Sequence, residues 1–317
     1  MRTGAAAGHP GYFHAAVRYA SDDELLTVAV PFLLGGIEAG EPTIVALGER
    51  TGSLIRDALP VGAKVDFLSG GAMYARPSAA IRSYRDLLAG HVADGAGQIR
   101  IIGEVPTESL GTTWDWWARY ESAINHAYDE FPLWSMCAYD TRTTPEAVLS
   151  DVARTHPRFA VPGGRHEDSV AYTDPRLYLG EQRPPVPDPL QAEEPTVLLE
   201  APTPSSARRA VHDADRGGVP ADDVDDLVVA VSEAVTNALR YGTAPVRLRV
   251  WGGADRIVVT VTDAGTGPKN PFAGLLPATG TATGGRGLWI AHQACAHVAA
   301  AGDDEGWTIR MIAGATG

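Results

Sequence analysis

Residues 221–241 read ADDVDDLVVAVSEAVTNALRY, and their spacing organises the second half of the chain. Val224, Leu227, Val228, Val231, Val235 and Leu239 recur at the period of a helix with one buried face. Glu233 and Asn237 stand at i and i+4, so both side chains leave the same face. A carboxylate placed there can accept a proton or position a nucleophile. A neutral amide oxygen can hold a magnesium ion without over-neutralising it. On its own the pair reads as an exposed polar stripe on an amphipathic helix.

Downstream, PVRLRVWG and RIVVTVTD alternate as a β pair joined by the turn GGAD. The second strand runs straight into Asp263-Ala-Gly-Thr-Gly267. A carboxylate at a strand end can accept a hydrogen bond from an exocyclic amine such as that of adenine. Gly265 and Gly267 allow a tight turn and close approach to a flat base. A Gly/Pro/Thr-rich loop over 264–285 leads into Gly284-Gly285-Arg286-Gly287-Leu288, which opens a helix over 287–297. Free N–H groups and the helix dipole attract an anion at such a start. GWTIRMI, which contains Thr308, closes as a strand. Upstream, TVLLEAP reads as a strand and 204–216 as a helix. The pattern is α+β, with helices on one face of a mostly antiparallel sheet. Each motif alone has an ordinary reading as stripe, turn or glycine loop; their joint order carries the weight.

Ahead of this region, Pro175, Pro184, Pro185, Pro187, Pro189, Pro195, Pro202 and Pro204 crowd one stretch. Proline removes backbone donors and forbids helix interiors, so a stiff extended linker is expected. A PxxP-type recognition segment is the other reading. The expected division is a first domain over 12–172, a linker over 173–195 and a second domain over 196–317. In the first domain, Ser21 caps a helical run, SDDELLTVAVPFLLGGIEAG, with acids in its first turn. Strands PTIVALG, AKVDFL, QIRIIGE and LWSMCAYD then alternate with helices near 50–59, 77–93, 112–129 and 144–154. This alternation predicts an α/β domain, a parallel sheet covered by helices on both faces.

With 317 residues and 44% hydrophobic content, the chain can build two cores. Its net charge of −13 repels phosphate backbones and anionic membranes, so neither nucleic acid nor a membrane is expected as a direct partner. Cys137 and Cys295 fall in different domains, which excludes a disulfide framework and fits a reducing cytoplasm. No His/Cys cluster has metal-ligand spacing along the chain, so no structural zinc is expected. No run reaches about 18 apolar residues. The opening MRTGAAAGHPGYFH lacks the apolar core of a signal peptide. A cytoplasmic location is therefore expected.

The three motifs resemble, in order and on the expected helix, strand end and lid, the N, G1 and G2 boxes of GHKL ATPases, whose domain is the Bergerat ATP-binding fold. The resemblance implies ATP and Mg2+ as cofactors. By motif position it implies Glu233 as the catalytic acid/base and Asn237 as the magnesium ligand. It implies Asp263 as the reader of the adenine amine, with Gly265 and Gly267 shaping the base pocket. Gly285, Arg286 and Gly287 would lie against the phosphates, and Thr308 near the adenine. SEAVTNAL and DAGTGPKNPFAGLLPA…GGRGLWIAHQACAHV look most like bacterial anti-sigma-factor serine kinases fused to sensory domains. That likeness implies a sigma factor, an anti-sigma-factor antagonist, or both as partners. It implies phosphorylation of Ser or Thr on the antagonist and sequestration of the sigma factor, and it leaves a homodimer open. Arg208 and Arg209 are candidate contacts to an acidic partner. A histidine kinase needs a phospho-accepting His on a dimerising helical pair, and His166 in GGRHEDSV lacks that pair. Gyrase-like ATPases need a transducer domain for which no room remains.

In the first half, PFLLGGIEAGEPTIVAL, IRIIGEVP, WARYESAINHA, MCAYDTRTTPEAV and RTHPRF resemble the MEDS domain of DcmR-like bacterial regulators. The resemblance implies a RecA-like α/β fold and a small-molecule ligand. GERTGSLIRD lacks the Lys of a phosphate-binding loop, so no ATP hydrolysis is expected in this half. Open parallel sheets bind ligands at the carboxyl ends of their strands. His14, Glu104, Glu121, Cys137, Tyr139 and Asp140 are the candidate sensor-site residues. Each has a structural reading beside it: Cys137 as a buried strand thiol, Tyr139 and Asp140 as a turn cap. Trp114, Trp116 and Trp117 read as packing. Two outputs stand open: a protein-serine kinase gated by the sensor, and an ATP- or ADP-loaded switch that sequesters a partner without turnover. Glu233 favours the kinase, and a histidine-kinase reading resting on His166 ranks third.

Overall fold

The computed structural model describes residues 2–68, 76–111, 113–277, 286–304 and 306–315. The chain divides into two compact units between Leu179 and Gly180, apart from Arg76–Ser78, which group with the second.

In the first unit the apolar runs form β1 (Phe13–Tyr19), β2 (Thr43–Ala46), β3 (Asp66–Phe67), β4 (Ile99–Gly103), β5 (Leu133–Asp140), β6 (Arg158–Val161) and β7 (Arg165–Asp168). They make one sheet in the order β3-β2-β4-β5-β1-β6-β7. β2 and β4 are buried along their whole length, as strands covered on both faces must be. Helices α1 (Asp22–Glu38), α2 (Glu49–Ala58), α3 (Pro77–Ala93), α4 (Trp114–Ala127) and α5 (Glu146–Thr155) alternate with the strands. α1 starts where Ser21 Oγ accepts the Glu24 N–H at 3.2 Å. Trp114, Trp116 and Trp117 are buried, as packing residues are.

The sheet is mixed, not wholly parallel. Pairings from β3 through to β6 are parallel, but β6 and β7 form an antiparallel hairpin. Gly163 and Gly164, at φ +82° and +71°, reverse the chain there, a conformation that suits glycine. β1 is a central strand that periodicity misses. His14 and Arg18 interrupt its apolar run, yet Arg18 alone in it is exposed.

The second unit is an antiparallel sheet of β8 (Val197–Glu200), β9 (Val246–Gly252), β10 (Arg256–Asp263), β11 (His297–Asp303) and β12 (Gly306–Gly314), ordered β11-β12-β10-β9-β8. Helices α7 (Pro204–Ala214, after the short α6 at Pro175–Gly180), α8 (Ala221–Tyr241) and α9 (Arg286–Ala294) complete it. α8 buries Val224, Leu227, Ala230, Val231, Ala234, Val235 and Ala238. Leu239, expected on that stripe, is 51% exposed, because alanines complete the face instead. The last helix stops before His297. The Ala296 N–H bonds the Ile312 carbonyl at 2.8 Å and draws the chain into β11. A Cβ at Gly252 would lie 1.9 Å from the Ala214 carbonyl oxygen, so glycine lets the end of α7 close onto β9.

The proline-rich stretch is not a uniform extended tether. Pro175–Gly180 forms a helical turn with Tyr178 fully buried. Further on, Asp188 caps a 3-10 turn, its Oδ1 accepting the Leu190 N–H at 2.9 Å. Leu190 packs on Trp251, Val258 and Ile312, which share the sheet face turned away from the helices. Trp251 Nε1 donates to the Glu193 carbonyl at 2.9 Å, and Arg310 donates to the Val186 carbonyl at 2.6 Å. Buried Asp188 pairs with Arg256 at 3.2 Å. These bonds give buried polar groups the partners that they require.

Residues 184–195 should therefore resist limited proteolysis in the intact chain. Leu190→Asp places a charge against Trp251 and should speed cleavage there roughly tenfold or more. Rapid cleavage of the wild-type segment would show a free linker instead.

Candidate functional site

Glu233 and Asn237 lie half-buried on α8, and the backbone at Gly287 closes over them. A Cβ on Gly287 would stand 2.7 Å from Asn237 Nδ2 and 2.9 Å from Glu233 Oε2. The first turn of α9 thus packs directly on the pair, bringing a helix N-terminus beside a carboxylate and an amide. Gly285 lies outside the described residues, as does the side chain of Arg286.

The end of α8 leads straight to the third group. The Gly242 N–H bonds the Ala238 carbonyl at 3.0 Å, and the next residue, Thr243, donates its N–H to Asp263 Oδ1 at 3.0 Å. Gly265 donates to the same oxygen at 2.8 Å. No bond among the described residues goes to Oδ2, which is the oxygen left to accept from a ligand. Asp263 is 5% exposed. Cβ atoms at Gly242 and Gly265 would each lie 2.6 Å from Asp263 Oδ1, so small residues make room for the carboxylate. Gly267, at φ +75°, brings its backbone onto the Trp307 indole. Sequence reasoning missed Gly242, Thr243 and Trp307; their only signal is register, since Trp307 lies opposite Asp263.

Thr308 does not join this group. It lies opposite Thr262, and the two hydroxyls bond at 2.8 Å. Thr262 precedes Asp263 in the strand, so its side chain takes the opposite face. Thr308 lines the space beneath residues 184–195 instead.

The six sensor-site candidates fall into two places. Glu104, Tyr139 and Asp140 line a cleft of about 380 Å³ at the carboxyl ends of the strands, with Tyr19, Gly48 and Arg50. Glu104 Oε1 accepts the Gly48 N–H at 2.5 Å, and burial raises its carboxyl pKa. Hydrogen bonds from the Arg142 guanidinium hold Asp140 below the usual carboxylate range.

His14, Glu121 and Cys137 instead meet in the domain interior, joined by His156, which sequence reasoning did not single out. Their ligand atoms lie within 4.8 Å of one another. His14 Nε2 is 3.4 Å from Cys137 Sγ and 3.7 Å from Glu121 Oε2. His156 Nε2 is 3.4 Å from Glu121 Oε2. Tyr139 Oη donates to Glu121 Oε1 at 3.0 Å. Burial pushes the Glu121 carboxyl up to about 7 and the Cys137 thiol well above its ordinary value. Burial also holds His156 down to about 4 and His14 well below its usual range. Burial thus disfavours the charged form of both imidazoles beside Glu121. This cluster lies outside the reach of the spacing argument on which no structural zinc was expected. Ligand spacing along the chain detects sites on one element or hairpin, whereas these groups come from β1, α4, β5 and the residue after α5. The legible signal is a polar residue at a buried phase of an apolar element.

The family model described as the methanogen/methylotroph, DcmR sensory domain (MEDS) matches residues 13–157. The model of the histidine kinase-like ATPase domain matches residues 200–313. No curated protein matches the chain. The chain thus carries a MEDS sensory domain followed by a histidine kinase-like ATPase domain of the GHKL type. No helix among the described residues is long and apolar enough to cross a membrane.

The close approach at Gly287 is directly testable. Gly287→Val should push α9 off Glu233 and Asn237 and weaken Mg-ATP binding at least about tenfold, or roughly 1.4 kcal/mol. Calorimetry with unchanged affinity would show that this contact does not shape the site.

Proposed function

We propose that the chain is a sensor-gated protein-serine/threonine kinase of the anti-sigma-factor type. The observation that carries the ATP reading is the convergence of Gly287 on Glu233 and Asn237, with Thr243, six residues after Asn237, anchored on Asp263. Asp263 Oδ2 accepts the adenine amine, while Thr243 and Gly265 fix the carboxylate through Oδ1. Gly267 and Trp307 wall the base. Asn237 holds magnesium, which neutralises phosphate charge when bound. Glu233 receives the proton of a partner Ser or Thr hydroxyl as its oxygen bonds to the γ-phosphorus and the bond to ADP breaks. Phosphoryl transfer asks mainly for positioning and charge neutralisation, which these groups supply.

The partner in this reading is an antagonist protein that carries the phosphorylated residue, and the bound domain sequesters a sigma factor. The first domain reads as RecA-like, with β1 between β5 and β6 and all three parallel. Its small-molecule ligand occupies the cleft at the strand ends. Glu104 already fills the N-terminus of α2 by accepting the Gly48 N–H, which supports a sensory role over phosphate binding there.

Incubated with Mg-ATP and anti-sigma-factor antagonist proteins, the chain should transfer the γ-phosphate to Ser or Thr. Glu233→Ala should slow transfer about 10²–10⁴-fold with nucleotide affinity little changed. Transfer at the wild-type rate in that variant would remove Glu233 from its role. Nucleotide binding with no transfer to any antagonist would favour a sequestering switch without turnover.

A further inference from the structure

His14 on β1, Glu121 on α4, Cys137 on β5 and His156 after α5 turn four ligand atoms toward one point inside the first domain. We infer that they bind one divalent transition-metal ion, zinc by preference, in a four-ligand site. The spacing fits. Zinc bonds of about 2.0–2.3 Å at tetrahedral angles place neighbouring ligand atoms roughly 3.3–3.6 Å apart. Four of the six pairs stand at 3.4 Å (His14–Cys137 and His156–Glu121) and 3.7 Å (His14–Glu121 and Cys137–Glu121), and the other two, His14–His156 and Cys137–His156, lie within 4.8 Å, so an ion would draw the ligands together by a few tenths of an ångström or more.

The surrounding hydrogen bonds prepare both imidazoles as ligands. His156 Nδ1 lies 2.9 Å from the Val152 carbonyl oxygen, which can only accept. The proton therefore sits on Nδ1, and Nε2 presents a bare lone pair to the cluster. That Nε2 is fully buried and has no hydrogen-bond partner among the described residues. An unpaired buried acceptor is costly, and a cation removes the cost. His14 Nδ1 lies 3.0 Å from Asn125 Oδ1. Asn125 Nδ2 donates to the carbonyls of Glu121, Ser122 and Thr155, so the amide oxygen is the atom held toward His14. His14 Nε2 is bare by the same argument. Tyr139 Oη donates to Glu121 Oε1, leaving Oε2 as the ligand atom. Such outer partners orient metal ligands and set ring tautomers.

Charge and donor type agree. On binding, the Cys137 thiol, and Glu121 where protonated, give up their protons to solvent; the resulting thiolate, carboxylate and two neutral imidazoles sum to −2, so a divalent ion gives a neutral site in the interior. Mixed S, N and O donors on a closed tetrahedron suit zinc over magnesium or calcium. Four protein ligands leave no open position for a substrate, so the site is structural or regulatory. Tyr139 also lines the cleft at the strand ends, which links the metal to the ligand-binding face of the sheet.

The test uses the full chain purified without a histidine tag. After dialysis, elemental analysis should find about one zinc per chain. Protein stripped with a chelator should melt at a lower temperature and regain its stability with zinc alone. Loaded with Co2+, it should show tetrahedral d–d bands and a thiolate-to-cobalt charge-transfer band, which Cys137→Ser abolishes. Tyr139→Phe keeps all four ligands, so it should retain the cobalt spectrum while zinc binds about 10–100-fold more weakly. Failure of stripped, folded wild-type protein to take up either metal would overturn the inference. So would a charge-transfer band that persists in Cys137→Ser, since Cys295 would then be the thiol ligand.

Discussion

One carboxylate oxygen, Asp263 Oδ1, holds three stretches of the second domain in register: the exit of α8, the end of β10 and the loop that follows. Hydrogen bonds to a charged, nearly buried acceptor are among the stronger ones a protein makes. Because Thr243 is bound to Asp263, the last turn of α8 cannot drift, and Asn237 and Glu233 hold their places along it. Gly242, Gly265 and Gly287 then act by absence, since a side chain at any of them would strike the carboxylate or the helix pair. The site is thus assembled by backbone approach, and that explains its density of glycine.

The buried cluster of the first domain follows a different logic. Polar groups in an interior need partners, and most here have them in Asn125, Tyr139 and the Val152 carbonyl. The remaining lone pairs converge, which an apolar core or a simple hydrogen-bond network does not need. The connection between domains also changes meaning. Residues 184–195 belong to the second domain's sheet through Leu190, Trp251, Arg256 and Arg310. The proline-rich stretch as a whole is therefore not the tether.

Much of the candidate site in the second domain was legible because its information is local. An i, i+4 pair on a helix and a carboxylate at a strand end survive in sequence spacing, so Glu233, Asn237 and Asp263 could be named together. Thr308 was misplaced because its face depends on the pairing Thr262↔Thr308, and pairing is invisible until the sheet forms. His156 escaped because the cluster exists only once β1 lies beside β5 and α4 and α5 pack together. The alternation of elements gave the first domain's class but not the β6–β7 hairpin, whose polar strand RHED carries no apolar period. Proline spacing predicted an extended segment and could not show that Trp251 and Arg310 would bind it.

In the proposed function the Asp263 carboxylate reads an adenine amine. The most direct measurement is a calorimetric titration of the intact protein with Mg-ATP and, separately, Mg-GTP. Asp263 Oδ2 would face a carbonyl oxygen on guanine where adenine offers an N–H donor. ATP should bind, and GTP should bind at least roughly a hundredfold more weakly. Equal affinity for the two nucleotides, or none for either, would contradict the account.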